Sequence, residues 1–242
     1  MTTRVGIIET WKELPEVERV FGTPAQSIQR YFDGQKGLSF VAFPVSDGCP
    51  IPRRQDCDAF LITGSEHSVY NPLAWIPPMK DFVGEVLEYD IRLFGVCFGH
   101  QLMALEEGGT VEKSPKGRGI GIHQHDLTET GKRLLPGLDS IRLMAAHQDQ
   151  VILPPPNARL LATSPFCQYA VFAYGTSGLS VQGHPEITQD FEYQIIQGWQ
   201  ERDPVDTQIV ETALWSMENV ECNTNAFRPF LTSFLTGELA LG

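Results

Sequence analysis

The chain has 242 residues, enough to bury a full hydrophobic core without metal or disulfide staples. Hydrophobic residues make up 42% and charged residues 20%, an ordinary balance for a water-soluble globular protein. The formal charge of −12 argues against nucleic acid or an anionic membrane as partner, because both repel such a surface.

In chain order, the N-terminus enters a strand almost at once, at residues 4–8, with no apolar h-region before it that would mark a signal peptide. Gly22-Thr23-Pro24 predicts a helix start, with Thr23 as cap and Pro24 at the first helical position. Residues 38–43 read as a second strand, and the Pro-rich stretch 44–56 as a surface loop. Residues 58–63 form a third predicted strand ending in Gly64-Ser65. That glycine either lets backbone N–H groups face a ligand or makes a plain tight turn. A loop over residues 69–75 and a helix over about 77–89 follow, then the apolar run Ile91, Leu93, Phe94, Val96.

Beyond Gly108-Gly109, short runs at 110–113, 119–127, 141–145, 159–163, 170–174 and 179–182 predict an antiparallel or mixed extension of the same sheet. His147 is expected in a loop between strands, and residues 191–200, 205–217 and 226–235 as helices. Without a repeat or linker, residues 1–242 are expected to form one domain, with extra C-terminal helices from about residue 200. No apolar run approaches the ~18 residues needed to span a bilayer. Five irregularly spaced cysteines give neither a disulfide framework nor a C-x-x-C zinc pattern. Reduced thiols in a cytoplasmic protein are expected.

The chemistry centres on Gly95-Val96-Cys97-Phe98-Gly99. A buried strand, a cysteine between glycines and an apolar helix-forming segment make the layout of a nucleophile elbow with Cys in place of Ser. The glycines are needed because neighbouring Cβ atoms would clash in such a turn. The positive end of the following helix favours a thiolate. Downstream, Pro185 biases His184 toward an extended conformation, in which residues two apart point the same way, so Glu186 can reach the imidazole. Cys, His and carboxylate together are an acyl-transfer constellation. His100, on the elbow helix, is expected to pack or cap locally, because Cβ atoms point back along a helix. His123 and His125 could supply half a metal site, but no third ligand stands at a diagnostic spacing. They are expected to be solvated strand histidines, and no metal or cofactor is expected.

Gly95-Val96-Cys97-Phe98-Gly99-His100-Gln101 followed by His184-Pro185-Glu186 resembles the class I, triad-type glutamine amidotransferase family. Thr63-Gly64-Ser65 is similar to that family's oxyanion turn, and Ala146-His147-Gln148-Asp149-Gln150-Val151 to its His-x-Asp-x-Val segment. Within the family the chain looks most like stand-alone members similar to the glutaminase domain of GMP synthetase. The resemblance implies a flavodoxin-like α/β fold: a mixed, mainly parallel sheet with helices on both faces. It implies hydrolysis of the glutamine side-chain amide through a γ-glutamyl thioester, with release of ammonia.

Carried over residue by residue, the resemblance makes Cys97 the nucleophile, His184 the acid/base and Glu186 its orienter. It assigns the backbone N–H groups of Gly64 and Phe98 to the oxyanion hole. It places Ser65, Gln101, Ala146, His147, Gln148 and Asp149 at the amino-acid end of glutamine. A synthetase or acceptor enzyme is an implied partner, and the oligomeric state is left open. The same triad also suits a γ-glutamyl peptidase, and the same fold a non-catalytic partner or regulatory protein.

Overall fold

In β1 (Thr3–Glu9), Val5 and Ile7 point into one apolar layer and Ile8 into another, the two-residue period of a strand buried on both faces. The structure, a computed structural model, describes residues 2–202 and 205–241. After β1 come α1 (Pro15–Phe21), α2 (Pro24–Tyr31), β2 (Leu38–Pro44), β3 (Ala59–Ile62), α3 (Ile76–Glu88), β4 (Arg92–Val96) and α4 (Phe98–Glu106). The second half holds β5 (Thr110–Lys113), β6 (Gly119–Leu127), α5 (Glu129–Leu134), β7 (Ser140–His147), β8 (Asp149–Leu153), β9 (Ala158–Thr163), β10 (Val171–Tyr174) and β11 (Gly178–Val181). It closes with α6 (Gln189–Arg202), α7 (Thr207–Asn219) and α8 (Thr224–Thr236).

Nine strands form one sheet in the order β2-β1-β3-β4-β11-β10-β9-β6-β7. Pairings from β2 through β11 are parallel, and those from β11 through β7 antiparallel. One face is covered by α2 and α8, where Ile28, Phe227, Leu231 and Phe234 meet Val5, Leu61 and Phe94. The other is covered by α3 and α4, where Met79, Val83, Leu102 and Met103 meet Ile8, Phe60 and Ile62. The α2 start is as predicted: the Thr23 side chain and Gln26 form a reciprocal capping box, with Pro24 at the first turn.

Two expectations are corrected, and one helix was not foreseen. Asp149–Leu153 is a strand, so His147 ends β7 rather than sitting in a loop. Strands β5 and β8 pair with each other as a separate two-stranded ribbon instead of extending the main sheet. And the polar stretch before Gly22 contains α1. The C-terminal helix α8 lies on the sheet face, with Phe227, Phe234 and Leu235 fully buried. Among the described residues, no helix is long and apolar enough to cross a membrane.

Candidate active site

Because β1, β3, β4 and β11 are mutually parallel, their carboxyl ends open on one edge of the sheet, where α/β folds place their ligands. These ends deliver Thr10, Gly64, Cys97 and His184 to one place. Central between β3 and β11, β4 leads directly into Cys97, whose backbone is strained at φ 50° and ψ −96°. A non-glycine residue in that region is held only where surrounding structure enforces it. Here the enforcement is close packing. A Cβ on Gly95 would lie 2.6 Å from the Gly99 carbonyl carbon, and one on Gly99 would lie 2.7 Å from the Ile62 oxygen. Only glycines let α4 start so near β3 and β4. Cys97 caps α4, so its sulfur sits at the positive end of the helix.

His184 Nδ1 donates to Glu186 Oε1 at 2.7 Å, the geometry expected from Pro185 and the extended spacing. Both side chains are less than a tenth exposed. Burial opposes a charge on His184, but the Glu186 carboxylate and the Cys97 sulfur outweigh it and hold the imidazole well above its ordinary range. The opposite nitrogen, Nε2, is buried and makes no hydrogen bond of good geometry. Cys97 is nevertheless close enough to act on the ring, and such contacts tighten when substrate is bound. Gly64 closes the third side: a Cβ there would fall 2.8 Å from His184 Cε1 and 3.6 Å from Cys97 Cβ.

Thr10, fully buried, fixes the Gly64 turn. Its hydroxyl contacts the Thr63 oxygen at 3.2 Å and the Gly64 oxygen at 2.9 Å. Since C=O and N–H are antiparallel across a trans peptide, the first contact turns the Gly64 N–H away from Thr10. The Phe98 N–H is the first of α4 and has no acceptor within the helix. Two N–H groups near the sulfur can therefore meet an oxyanion.

Around these groups lies a cavity of about 170 Å³. Cys97, His184, Glu186, Gly64, Ser65 and Ala146 line it. Ser65 Oγ donates to the Thr10 oxygen at 2.7 Å and accepts from the His67 N–H. The remaining residues expected at the substrate do not line the cavity. Gln101 is buried behind it, both its N–H bonds directed at protein acceptors, Asp149 O at 2.9 Å and Gln182 Oε1 at 3.2 Å. His147 is buried against Phe166, and burial holds it well below its usual range. Gln148 accepts the Ser114 N–H through its carbonyl, and Asp149 is buried at the start of β8.

His100 packs locally, as expected, with Nδ1 2.8 Å from Ser180 Oγ and its ring stacked on Phe172. His125 is not solvated: it is 1% exposed and pushed down to about 4 by burial. Among the described residues no group of three or more His, Cys, Asp or Glu side chains could hold a metal ion.

Sequence reasoning missed the outer walls. Trp11 and Leu14 precede α1, Val17 lies on it, and Phe191, Ile195 and Trp199 come from α6. It also missed Thr10 and Gln182, whose only local signal is their place at the ends of β1 and β11.

The family model described as "Glutamine amidotransferase class-I" matches residues 28–196. A protein named gamma-glutamyl peptidase 4 from Arabidopsis thaliana is 28% identical over 218 residues, 86% of this chain and 86% of its own length. One subunit of the glutamine-hydrolyzing GMP synthase from Sulfolobus acidocaldarius is 27% identical over 65% of this chain and 87% of its own. The crystal structure of a glutamine amidotransferase from Thermotoga maritima superposes with a TM-score of 0.74 over 97% of this chain and 99% of that one. At 21% identity it shares the fold.

Proposed function

The chain belongs to the class-I glutamine amidotransferase family, and from that premise we propose that it hydrolyses the γ-amide of glutamine, with Cys97 as nucleophile. The observation that carries the reading is the strained Cys97 at the start of α4, beside the imidazole of His184, whose Nδ1 donates to Glu186 at 2.7 Å and whose charged form that carboxylate favours. In the proposed reaction the Cys97 thiolate attacks the amide carbon, and the oxygen takes the negative charge opposite the Gly64 and Phe98 N–H groups. Each such donor is typically worth about 3 kcal/mol. The His184 imidazolium passes its proton to the departing nitrogen, ammonia leaves, and a γ-glutamyl thioester remains on Cys97. Neutral His184 then takes a proton from water, whose oxygen attacks the thioester carbon and releases glutamate.

At the other end of the proposed substrate the cavity is lined by Ser65, Glu66 and Ala146.

A second reading is hydrolysis of a γ-glutamyl peptide or conjugate. Its specific support is the apolar wall of Trp11, Leu14, Val17, Phe191, Ile195 and Trp199, surface that an ammonia leaving group does not use. The relative named as a γ-glutamyl peptidase points the same way. The acyl half of the reaction is unchanged.

The test is ammonia release from free glutamine by the purified chain, beside amino-acid release from γ-glutamyl dipeptides, with Cys97→Ser as control. Cys97-dependent ammonia release supports the first reading. Release from dipeptides alone supports the second and overturns the first. Full activity in Cys97→Ser removes the nucleophile assignment from both.

A further inference from the structure

We infer that Gln182 is a positioning residue for the Cys97 sulfur, held in one orientation by a relay of amide hydrogen bonds that starts at the backbone carbonyl of Asp149. The inference rests on the reading of Cys97 as nucleophile and adds to it a residue that the resemblance did not assign.

Register comes first. Parallel pairing matches Val181 with Val96, so the next residue of each strand end, Gln182 and Cys97, stand side by side, and the Cys97 N–H donates to the Val181 oxygen at 2.9 Å. Side chains at matched positions of neighbouring strands leave the sheet on the same side. The Gln182 amide thus reaches the sulfur without crossing any other element, and Nε2 lies 3.6 Å from Cys97 Sγ.

Orientation follows from the donors and acceptors available. A glutamine amide has an accepting end and a donating end of nearly equal shape, so its direction is set by the network around it. A backbone carbonyl only accepts. The Gln101 group 2.9 Å from the Asp149 oxygen must therefore be its NH2, whose second hydrogen points at Gln182, 3.2 Å away. Gln182 must meet it with Oε1, which leaves Nε2 facing the sulfur. Turning either amide over would set oxygen against oxygen or hydrogen against hydrogen. Gln101 is 3% exposed and Gln182 fully buried, so no solvent relieves that mismatch. One fixed carbonyl, 48 residues from Gln101 along the chain, settles the direction of both side chains.

An N–H donor is a weak partner for a neutral thiol and a stronger one for a thiolate, because a charged acceptor strengthens the bond. Gln182 therefore favours the ionised sulfur and fixes its direction, while His184 approaches from the same strand end two residues later. One strand end supplies both the proton carrier and the donor that steadies the nucleophile. Gln101, through its hydrogen bond to Gln182, sets the direction of that donor.

The experiment uses the full chain and three variants. Gln182→Met keeps the length of the side chain and removes the donor, Gln182→Glu replaces the donor with an acceptor, and Gln101→Met removes the group that orients Gln182. Cys97 is alkylated with iodoacetamide at neutral pH without substrate, its thiolate absorbance is followed in the ultraviolet, and kcat and KM are measured on whichever substrate the wild type turns over. Gln182→Met is expected to slow Cys97 alkylation about tenfold, with loss of thiolate absorbance, as fits one hydrogen bond to a charged group. Its kcat falls in step while KM stays within about threefold, because the lost bond acts on sulfur, not on bound substrate. Gln182→Glu loses more, and Gln101→Met falls between wild type and Gln182→Met.

Wild-type alkylation rates and kcat in both Gln182→Met and Gln101→Met overturn the inference. So does a raised KM with kcat retained, which would make Gln182 a substrate contact. If Gln182→Met does not fold, as judged by circular dichroism, a wild-type result in Gln101→Met is by itself sufficient to overturn it. Failure of the underlying reading looks different: wild-type Cys97 would then react no faster than the partly exposed Cys49 and Cys222.

Discussion

Two buried histidines, His100 on the elbow helix and His184 just beyond the end of β11, have nearly the same local description and opposite behaviour. Each has Nδ1 tied by a hydrogen bond, at 2.8 Å to the Ser180 hydroxyl and at 2.7 Å to the Glu186 carboxylate. Both are desolvated, and for both desolvation is the largest influence. With no carboxylate beside it, burial drives His100 down to about 3 despite a backbone hydrogen bond at Tyr169, and it is a neutral packing element stacked on Phe172. With a carboxylate and a sulfur beside it, His184 moves the other way. Proximity to Cys97 in the sequence favours His100. The charge on the partner, not sequence distance or burial, decides which ring can trade protons at neutral pH.

That contrast can be broken most severely at His184. His184→Ala removes the proposed proton carrier, and turnover should fall by about a thousandfold or more, measured as kcat/KM at neutral pH. Glu186→Gln keeps the shape and removes the charge, making the surroundings of His184 resemble those of His100. A loss of about a hundredfold is expected. The His184 titration, followed by NMR of the ring protons, should move down, and a titration left in place would mean that Glu186 is not what holds the ring charged.

The mirror experiment, His100→Leu, should cost about 1–3 kcal/mol of stability in denaturant melts through the lost hydrogen bond to Ser180 and the lost stack on Phe172, yet leave turnover within about threefold. A large activity loss there would blur the distinction between the two rings.

An effect on stability alone, absent at acid pH, sharpens the role of burial. Glu192 is fully buried, accepts the Gly121 N–H at 3.0 Å, and is pushed up to about 7 by desolvation. Its folded state holds a proton that the unfolded chain gives up near an ordinary carboxyl pKa. Its contribution to stability is therefore complete below that pKa and lost as pH rises through about 7. Glu192→Gln should match wild type near pH ~4, gain on it through the intervening range and level off above pH ~8, by up to ~3 kcal/mol. Melting temperatures across that range would show it, and a constant offset would not fit.

The grouping of Cys97, His184 and Glu186 was legible in the sequence because its signals are local. Glycines on either side of Cys97 announce a turn, and Pro185 sets His184 and Glu186 on one side of an extended segment. The parallel half of the sheet was legible from continuous apolar runs such as Ala59–Ile62, every residue of which is buried. Elements that gain their structure from a neighbour were not. Helix α1 has no buried residue and no side-chain cap, so no apolar periodicity betrays it. Strand β8 is buried only over its first three residues and exposes Ile152 and Leu153, a pattern neither alternating nor continuous. Gln182 stayed hidden because its meaning depends on the register between β11 and β4, which no spacing in the chain reveals. The same holds for Gln101, whose motif position suggested substrate while its two N–H bonds are spent on the protein.

The central place of β4 also has a kinetic consequence. Cys97 is flanked by β3, which precedes it, and by the end of β11, whose Gln182 lies 85 residues further on. Thr10 reaches the same edge from 53 residues before Thr63. Contacts so distant along the chain form slowly, because loop closure must precede them. A reactive thiol should therefore be among the last properties to return during refolding, after the helices. Alkylation pulses during refolding would make Cys97 a built-in reporter of when the parallel sheet closes.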